Sequence, residues 1–572
     1  MKNIEVAQLL YRIADILELQ EVQWKPQAYR KAAQAIESLS EDIKELQRND
    51  KLLEIPGVGE NIAEKIDEYL TTGKLKYYDQ LKKEVKVDLE QLNQIPSLGP
   101  KKIKILYQKL GVKTIADLET AIKQHKVRGL DGFGEKTEQT LEEGIRLIKT
   151  RPKRFLYASL LPLVNSILSA FRAYSFVHQM EVAGSFRRGK ETVGDLDFCA
   201  VSPQPEKVIR QFTSMKDVKD ILAQGATKSS VRLTNGLQID LRVVKDKEFG
   251  SAMNYFIGSK EHNVELRKLA LSKGYTLSEY GLSSLQNKKW IAGKVENDIY
   301  RKLGLQCIEP ELRENRGEIL AAQQKRLPSL ITPKDLNGIF HNHSTWSDGN
   351  NSLLEMAQKA EALGLKFISF NDHCGPIGIT NPLTEKRFAG YLKEIEKVRK
   401  RVGIHVFSGV EIDILKDGTL PLPLSRLKEL DVVIASVHLA TRMPTAEMTK
   451  RVCHALEKYP IHILGHPTDR LLNQREPLAL NMETVFQTAK ERGVFLEING
   501  SPSRMDLCGE QVKNARDLGC QFAISADAHD VNHLPYYHLG VNMARRGWLE
   551  KKDVLNCWDL KKIEKVLKKL NK

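Results

Sequence analysis

The distribution of histidine constrains the fold of this chain more than any other feature of its sequence. Eleven of its fourteen histidines lie at or beyond position 341 of 572 residues. Several of them, together with aspartates and glutamates, directly follow short apolar runs such as LKFISF, VVIASV and CQFAISA. Helical patterns such as METVFQTAKERG separate these runs, and such alternation is typical of parallel strands joined by crossover helices. We therefore predict a β/α fold for residues 338–572.

Nine of these polar side chains form a candidate metal site. Chemistry in β/α barrels is concentrated at the carboxyl ends of the strands, and imidazole together with carboxylate suits Zn²⁺, Mn²⁺ or Fe²⁺. Bound metals of this kind favour hydrolysis of phosphoesters. The predicted ligands are His341, His343, Asp348, His373, Glu411, His438, His466, Asp527 and His529. We interpret five others as ordinary core or surface histidines: His405, His454, His462, His533 and His538.

A glycine-containing pattern occurs three times in residues 1–150, which otherwise show helical apolar spacing. The copies are IPGVG from Ile55, IPSLG from Ile95 and LDGFG from Leu130, each before an amphipathic helix. Glycine lets a backbone approach a ligand, and helix N-termini bind phosphate. The pattern resembles the helix-hairpin-helix motif, which contacts the DNA backbone; simple turns are the alternative. The candidate DNA-binding residues are Gly57, Gly59, Ser97, Gly99, Gly132 and Gly134.

Three acidic residues mark the strand-rich segment between residues 150 and 315. Asp195 and Asp197 share one face of a predicted strand, and Asp240 lies in a second strand. Three carboxylates on one sheet face are costly without a cation, and Mg²⁺ suits carboxylate oxygens. Upstream, GSFRRG from Gly184 offers backbone amides, a hydroxyl and guanidinium groups to a triphosphate. Unrelated surface acids at a sheet edge are the alternative.

Composition narrows the class of protein and its partners. A net charge of +15 and a pI near 9.2 favour a polyanionic partner, above all nucleic acid. The length indicates several domains. No apolar run is long enough for a membrane span, and the N-terminus is a poor signal peptide. The seven cysteines are typical of reduced thiols, so we expect a cytoplasmic protein without a membrane partner.

The middle segments resemble the family X DNA polymerases. GSFRRG from Gly184 and GDLD from Gly194 are similar to the nucleotidyltransferase signature of that family, and the similarity continues through YFIGS from Tyr255. The resemblance implies two-metal nucleotidyl transfer with Mg²⁺ or Mn²⁺. It also implies deoxynucleoside triphosphates and gapped or nicked DNA as substrates. Ile257 stands where the family pattern has a polar residue.

The resemblance further implies roles for individual residues. Asp195 and Asp197 would hold both metal ions, and Asp240 would bind the catalytic ion and help to activate the primer 3′-hydroxyl. The residues implied to hold the incoming nucleotide are Gly184, Ser185, Arg188, Gly194, Tyr255, Phe256, Gly258 and Asn263. Those implied to contact DNA beyond the glycine patterns are Lys25, Tyr29 and Arg267.

Lys65 is similar to the family lysine that forms a Schiff base with an abasic sugar. This resemblance implies 5′-deoxyribose-phosphate lyase chemistry, for which a lysine needs a lowered pKa. Asn61 occupies the place of one accessory lysine of the family pattern. A lysine that only contacts DNA or solvent is the alternative.

The nine predicted ligands match the motifs of the PHP (polymerase and histidinol phosphatase) domain, a distorted β/α barrel. The resemblance implies a cluster of three Mn²⁺, Zn²⁺ or Fe²⁺ ions. It implies 3′–5′ exonuclease and 3′-end processing, with abasic-site incision as a further activity. Asp469 stands where the family has glycine, and Arg470 and Arg504 are candidate phosphate-binding residues.

The whole chain is similar to bacterial family X DNA polymerases fused to a PHP domain, so the implied protein is a monomeric base-excision repair enzyme. Its implied fold is multidomain, with an all-α helix-hairpin-helix region, an α+β palm and thumb, and a C-terminal distorted β/α barrel. The predicted boundaries are 1–85 and 86–150 (helical), 151–250 (palm), 251–315 (thumb), 316–337 (linker) and 338–572 (PHP). The alternatives are a DNA-binding module with silent sites and a small-molecule phosphatase joined to a DNA-binding region.

Overall fold

The computed structural model describes residues 3–20, 22–37, 43–85, 87–93, 95, 98–150, 154–376 and 380–570. The chain forms two compact units, Met1–Pro152 and Lys153–Lys572. In its described residues the first unit is all-α, as predicted. Its helices are α1 (Asn3–Leu19), α2 (Lys25–Glu37), α3 (Ile43–Arg48), α4 (Glu60–Thr72), α5 (Lys76–Glu84), α6 (Leu89–Leu92), α7 (Pro100–Leu110), α8 (Ile115–Lys123) and α9 (Glu135–Thr150).

The core of the first unit forms because apolar residues recur at helical spacing. Leu10, Ile13 and Leu17 on α1 are buried in one cluster with apolar residues of the later helices. The apolar position of each glycine pattern packs into the same cluster. The apolar residues of the glycine patterns are therefore also part of the core of this helical unit.

The second unit begins with an α+β region that matches the predicted palm and thumb. Its elements are β1 (Phe155–Leu156), α10 (Tyr157–Arg172), β2 (Gln179–Val182), α11 (Gly184–Arg187), β3 (Thr192–Val193), β4 (Asp195–Val201), α12 (Pro205–Thr213), β5 (Val218–Gln224), β6 (Lys228–Leu233), β7 (Gln238–Val244), α13 (Phe249–Ile257), α14 (Lys260–Ser272), β8 (Tyr275–Ser278), β9 (Gly281–Ser284), β10 (Trp290–Ala292), α15 (Glu296–Lys302) and α16 (Glu318–Gln323).

A five-stranded sheet forms the centre of this region, in the order β2-β4-β7-β6-β5. Strands β4 and β7 are parallel, and the other pairs are antiparallel. Alternate residues such as Leu196 and Ile239 are buried against α10 and α12. This alternation leaves the opposite face of β4 and β7 for polar side chains.

The remainder of the second unit is a curled, nine-stranded parallel sheet with helices, which confirms the predicted β/α fold. The strand order is β13-β15-β16-β17-β18-β19-β11-β12-β14. The elements are β11 (Gly338–Asn342), α17 (Leu353–Ala362), β12 (Phe367–Phe370), β13 (Asp372–Cys374), α18 (Glu385–Arg399), β14 (His405–Phe407), β15 (Gly409–Asp413), α19 (Leu424–Leu427), β16 (Val432–Ser436), α20 (Thr445–Lys458), β17 (Ile463–Leu464), α21 (Met482–Arg492), β18 (Phe495–Asn499), α22 (Gly509–Leu518), β19 (Phe522–Ala528), α23 (Tyr537–Arg546) and α24 (Leu560–Leu570).

The barrel packs directly on the palm and thumb. Tyr157 and Leu161 on α10 contact the main apolar cluster of the barrel, and Trp548 of the barrel belongs to the apolar cluster of the thumb. The connecting segment, expected to be a polar linker, is itself packed. Its Glu318 is buried and accepts a hydrogen bond from His262 Nδ1 at 2.7 Å. Palm, thumb and barrel are therefore parts of one continuous body.

None of the helices in the described ranges has the length and apolar character that a bilayer span requires.

Candidate active sites

The three predicted acids meet on the palm sheet. Asp197 on β4 is paired with Asp240 on β7 in the parallel register, and Asp195 lies two residues before Asp197. Ser230 on β6 donates a hydrogen bond to Asp240 Oδ1, and Gln238 donates one to Asp240 Oδ2 at 3.0 Å. Because residues two apart on a strand share a face, all three carboxylates lie on the face away from α10 and α12.

The electrostatics of Asp197 indicate a cation at this face. Burial and the negative charges of Asp195 and Asp240 raise the pKa of Asp197 to about 7, although Arg188 and Arg242 oppose the shift. A bound divalent cation would relieve this repulsion and favour the ionised form of all three acids. The acids therefore fit a divalent metal ion.

A cleft of about 370 Å³ opens beside these acids. Gly184 has a φ of +63°, and a Cβ there would lie 2.3 Å from Asp197 Oδ2, so only glycine lets this loop approach β4. Gly194 precedes Asp195 directly and lies outside the cleft lining. The predicted nucleotide-binding residues that line the cleft are Gly184, Ser185, Arg188, Tyr255, Phe256, Gly258 and Asn263.

The far wall of the cleft is built by α13 and α14. Tyr255 is 37% exposed, and its carbonyl accepts a hydrogen bond from Asn263 Nδ2 at 2.7 Å. Arg267, the predicted DNA contact, also lines the cleft, and its Nε donates to the Asn263 carbonyl at 3.2 Å. Lys260, an exposed cation of this wall, was not among the predicted residues. The signal available was a lysine at the start of a helix, where anions bind.

Glu411 lies at the centre of the histidine cluster in the barrel. Its buried carboxylate is 2.9 Å from His466 Nε2, 3.0 Å from His373 Nδ1, 3.2 Å from His341 Nε2 and 3.3 Å from His438 Nε2. Burial opposes its charge, but the neighbouring imidazoles outweigh burial and hold the pKa of Glu411 well below its usual range. The carboxyl ends of several parallel strands bring these residues together.

The other predicted ligands extend the same cluster. His343 Nε2 lies 3.4 Å from Asp527 Oδ1, and His529 Nε2 lies 3.5 Å from Asp348 Oδ1. His373 Nε2 lies 3.7 Å from Asp348 Oδ2, which joins these pairs to the residues around Glu411. All nine predicted ligands are therefore in one cluster, with overlapping groups whose ligand atoms lie within 4.8 Å of one another.

The donor set of the cluster fits divalent metal ions. His341 Nε2 and both ring nitrogens of His343 are buried without a hydrogen-bond partner in the described part of the chain. Buried polar atoms are normally paired, whereas imidazole nitrogens with free lone pairs are metal ligands. Burial, together with His529 and His373, lowers the pKa of His343 to about 3, which favours the neutral form that a metal needs.

Two buried carboxylates that the sequence analysis missed orient predicted ligands. Glu497 on β18 accepts hydrogen bonds from His341 Nδ1 at 2.5 Å and from Ser525 Oγ at 2.6 Å. Asp413 on β15 pairs with His438 Nδ1 at 2.7 Å. Such carboxylates fix the tautomer and orientation of metal-bound imidazole. The available signal was an acid at the carboxyl end of each apolar run.

Asp469, at the position where glycine was expected, lies beside the cluster. It is 1% exposed, has a φ of +47° and accepts a hydrogen bond from Arg504 Nη1 at 2.7 Å. Arg504 Nε lies 3.5 Å from Asp527 Oδ2, so its guanidinium reaches the edge of the metal cluster. A second cation, Arg475, lies 2.5 Å from Asp469 Oδ1. Asp469 therefore holds Arg504 beside a predicted metal ligand.

Arg470 is engaged elsewhere, contrary to the prediction that it binds phosphate at this site. It donates hydrogen bonds to the carbonyls of Arg504 and Met505 and lies 3.4 Å from Glu191 of the palm. These contacts place its guanidinium at the contact between barrel and palm. The guanidinium of Arg470 is therefore engaged by two carbonyls and a carboxylate.

In the N-terminal unit, Lys65 lies in a small basic and aromatic surface. Its Nζ donates a hydrogen bond to the Asn61 carbonyl at 2.9 Å and lies 4.8 Å from the ring centroid of Tyr77. Tyr77 stacks with Tyr29 at 6.5 Å between centroids. Burial is the main cause that lowers the pKa of Lys65, and Lys25 lowers it further. The predicted residues Lys25, Tyr29 and Lys65 therefore lie close together, and Tyr29 among them is buried.

Each glycine pattern of the N-terminal unit stands before a helix, as predicted. Gly59 and Gly99 are the N-cap residues of α4 and α7, and α9 begins directly after Gly134. Gly57 and Gly132 have φ values of +82° and +80°, which glycine adopts without strain. Ser97 lies outside the described residues. The geometry suits phosphate binding at three helix starts.

Comparison with known proteins identifies the family. Family models match over residues 1–75 (helix-hairpin-helix domain), 89–146 (SAM-like helix-hairpin-helix tandem), 252–314 (DNA polymerase beta thumb) and 340–501 (PHP domain). A Bacillus subtilis (strain 168) protein named DNA polymerase/3'-5' exonuclease PolX is 34% identical over 573 residues, which cover 100% of both chains. The chain belongs to the family X DNA polymerases that carry a PHP domain.

Two further relatives each match part of this family X polymerase. Rat DNA polymerase lambda is 28% identical over 340 residues, 54% of this chain and 56% of its own length. A protein of Thermoanaerobacter sp. (strain X514), named as a probable phosphatase, is 29% identical over 241 residues, 40% of this chain and 93% of its own. Membership of the family implies dependence on divalent metals, for which the barrel provides candidate His, Asp and Glu sites.

Proposed function

We propose that this family X polymerase fills short gaps in DNA and removes nucleotides from DNA 3′ ends at a second metal site. The full-length similarity to the B. subtilis DNA polymerase/3'-5' exonuclease supports both activities. The observation that carries the first activity is the pairing of Asp197 with Asp240 beside a cleft of about 370 Å³. The buried His/Asp/Glu cluster carries the second.

Nucleotide incorporation takes place in the cleft of the palm. Asp195, Asp197 and Asp240 would hold Mg²⁺ or Mn²⁺, which when bound lowers the pKa of the primer 3′-hydroxyl and stabilises the leaving pyrophosphate. The 3′-oxygen forms a bond to the α-phosphorus while the bond to pyrophosphate breaks. Arg188 and Ser185 line the cleft and bind the triphosphate through charge-assisted and neutral hydrogen bonds.

The α13 wall of the cleft selects the sugar. Tyr255 and Phe256 lie side by side at 5.2 Å between centroids and crowd the 2′ position of the incoming nucleotide. Asn263, anchored on the Tyr255 carbonyl, contacts the base from the minor-groove side, and Arg267 contacts the template strand. Ile257 is buried, so its apolar side chain adds no polar contact to the sugar. The cleft therefore favours deoxynucleotides by shape.

Hydrolysis of 3′ ends takes place at the barrel cluster. Three Mn²⁺, Zn²⁺ or Fe²⁺ ions held there would supply hydroxide at neutral pH and stabilise charge on the phosphate. Glu497 and Asp413 keep His341 and His438 in the orientation that binding requires. Arg504, held by Asp469, binds a non-bridging oxygen of the phosphodiester.

Primer extension and 3′-end degradation by the purified protein test the two activities. A gapped duplex with Mg²⁺ and deoxynucleoside triphosphates should be filled, and a single-stranded 3′ end with Mn²⁺ should be shortened. If Asp240→Ala extends the primer as fast as the unmodified protein, the palm assignment is wrong. If the unmodified protein does not extend the primer at all, a DNA-binding module with a silent site is favoured.

A second candidate function is phosphatase activity of the barrel. Its similarity to the Thermoanaerobacter protein named as a probable phosphatase is the observation in its favour. Rates of hydrolysis of a DNA 3′ end and of a free phosphomonoester, measured at equal metal concentration, separate the two candidates. We expect DNA to be the better substrate because the neighbouring domains bind it, and preference for the monoester would reverse this assignment.

Lys65 carries a third, independent proposal, removal of a 5′-deoxyribose phosphate. Its amine condenses with the C1′ aldehyde, water leaves and a Schiff base forms. Loss of a C2′ proton and β-elimination then break the C3′–O bond, which leaves a 5′-phosphate on the DNA, and hydrolysis of the Schiff base frees the unsaturated sugar phosphate and the Lys65 amine. The lowered pKa of Lys65 supports this role because a neutral amine is the nucleophile. Borohydride reduction should trap a covalent adduct with abasic DNA. An undiminished adduct in Lys65→Ala would remove the assignment.

A further inference from the structure

A side chain of the barrel reaches the nucleotide loop of the palm. Arg546, the last residue of α23, is 5% exposed, and its Nη1 donates hydrogen bonds to the Arg188 carbonyl at 2.8 Å and to Glu314 Oε1 at 3.1 Å. Gly509 leaves room for it. A Cβ at Gly509 would lie 2.4 Å from Arg546 Cβ, so this position has no space for a side chain, and a Cβ at Gly189 of the palm would be in ordinary van der Waals contact with Arg546. The path of this arginine between the domains is therefore closely defined.

Glu314 of the thumb connects Arg546 to the guanidinium of Arg188. Its carboxylate accepts a hydrogen bond from Arg188 Nε at 3.0 Å and lies 3.2 Å from Lys190 Nζ. Burial opposes the charge, but Arg546, Arg188 and Lys190 outweigh it and lower the pKa of Glu314 to about 2. Glu314 is therefore a carboxylate at neutral pH and attracts both arginines.

These contacts fix the orientation of Arg188 before a nucleotide arrives. Its Nε is bound to Glu314, and its Nη1 donates to the Ile257 carbonyl. Its Nη2 has no hydrogen-bond partner in the described part of the chain. Because Arg188 lines the cleft, this remaining nitrogen is available to a phosphate oxygen.

We propose that Arg546 of the PHP domain is a positioning residue for nucleotide binding at the polymerase site. It holds the Arg188 backbone through the carbonyl and the Arg188 side chain through Glu314. A side chain ordered in advance loses less conformational freedom on binding, so the triphosphate binds more tightly. This inference rests on the proposed role of Arg188 as a triphosphate ligand.

Arg545, the preceding residue of the same helix, provides a matched control. Its Nε donates to Glu311 Oε1 at 2.8 Å and its Nη1 to the Ile331 carbonyl at 2.9 Å. It therefore joins the barrel to the thumb and the connecting segment by contacts of the same kind. No contact of Arg545 with Arg188 or Glu314 occurs among the described residues.

The test is single-nucleotide incorporation on gapped DNA by the full-length protein, with Arg546→Gln and Arg545→Gln compared. We expect Arg546→Gln to raise KM for the deoxynucleotide about tenfold, a typical coupling between sites, with kcat and 3′-end degradation nearly unchanged. Arg545→Gln should keep the original KM. An unchanged KM in Arg546→Gln, or an equal rise in Arg545→Gln, would overturn the proposal.

Two further variants separate positioning from folding. Arg546→Lys keeps a cation beside Glu314 and should recover part of the nucleotide affinity, and a KM as high as that of Arg546→Gln contradicts the charge-mediated role. If Arg546→Gln also has a lower exonuclease activity and a lower Tm, its KM no longer separates positioning from folding. The KM of Arg546→Lys for the deoxynucleotide, compared with that of the unmodified protein, then decides the question. In an Arg546→Gln/Glu314→Gln pair the effects should be less than additive, and full additivity overturns the route through Glu314.

The outcome also distinguishes this proposal from the proposed function. If the unmodified protein incorporates no nucleotide, the polymerase assignment itself fails. If it incorporates nucleotides and Arg546→Gln retains the original KM, only the positioning role of Arg546 fails.

Discussion

The two candidate metal sites of this polymerase differ in their electrostatics. The palm site consists of three carboxylates on two adjacent strands, and Asp195 among them is exposed. The barrel site combines six histidines with three carboxylates, and His341, His343 and Glu411 are almost fully buried. Carboxylates alone repel one another until a cation arrives, whereas imidazoles and carboxylates compensate in charge. The palm should therefore acquire its ions with substrate, and the barrel should retain them.

The largest effect should come from the palm acids. Asp197→Ala removes a carboxylate that no neighbour replaces, so nucleotide incorporation should fall about a thousandfold or more, because a catalytic metal contributes several kcal/mol. Exonuclease activity of the same preparation should remain, since the barrel cluster is separate. Loss of both activities would show that the two sites are not independent.

The reverse effect should follow from the barrel. The double variant His341→Ala/His343→Ala removes two buried ligands, and degradation of 3′ ends should fall about a thousandfold. Gap filling with Mg²⁺ should change by no more than about threefold. If this variant shortens 3′ ends at the original rate, the nuclease centre lies elsewhere.

Metal retention tests the comparison itself. After desalting without chelator, elemental analysis should find metal in the unmodified protein and in Asp197→Ala, but about a tenth or less of it in His341→Ala/His343→Ala. Polymerisation should require added Mg²⁺ throughout, because open carboxylate sites bind it weakly. Equal metal content in all three proteins would mean that the barrel does not retain ions more firmly than the palm.

A smaller effect should come from the carboxylate behind His341. Glu497→Gln keeps the shape of the side chain but loses the charge that orients the imidazole, so metal affinity or exonuclease rate should fall about 10- to 100-fold. Polymerisation provides the internal control. An exonuclease rate and metal content equal to those of the unmodified protein would show that Glu497 is only a buried structural group.

The smallest effect concerns stability and pH. The folded pKa of Glu314, about 2, is below its usual value, so its stabilising contribution is present at neutral pH and is lost as the pH falls from about 4.5 towards 2. The free energy of unfolding of Glu314→Gln should therefore be about 2 kcal/mol lower than that of the unmodified protein at pH 7. The difference should shrink to near zero in acid. If the difference in the free energy of unfolding does not depend on pH, the effect of the substitution is due to packing and not to the charge of Glu314.

The sequence predicted the members of both sites better than their surroundings. Asp195, Asp197 and the strand-end histidines follow periodicity and strand direction, which depend on local rules. Glu497, Asp413 and Lys260 share their local sequence signals with other acids and lysines of the chain, and their roles depend on which side chain lies opposite.

The contact between barrel and palm could not be predicted from the sequence. Arg470 was predicted to bind phosphate, but its guanidinium lies 3.4 Å from Glu191 of the palm. The segment 316–337 was interpreted as a polar linker, yet Ile331 and Glu318 in it are fully buried. Residues far apart in sequence meet at this contact, and neither composition nor spacing carries information about such partners.

The position of Trp548 in the thumb cluster has a consequence for the order in which the domains fold. Trp548 completes the apolar cluster of the thumb around Leu266 and Tyr300, although more than two hundred residues separate it from them along the chain. During synthesis the thumb therefore lacks part of its interior until Trp548 has left the ribosome. A nascent chain released early would carry all three palm acids but an unfinished thumb, so the cell obtains a mature polymerase only together with its nuclease.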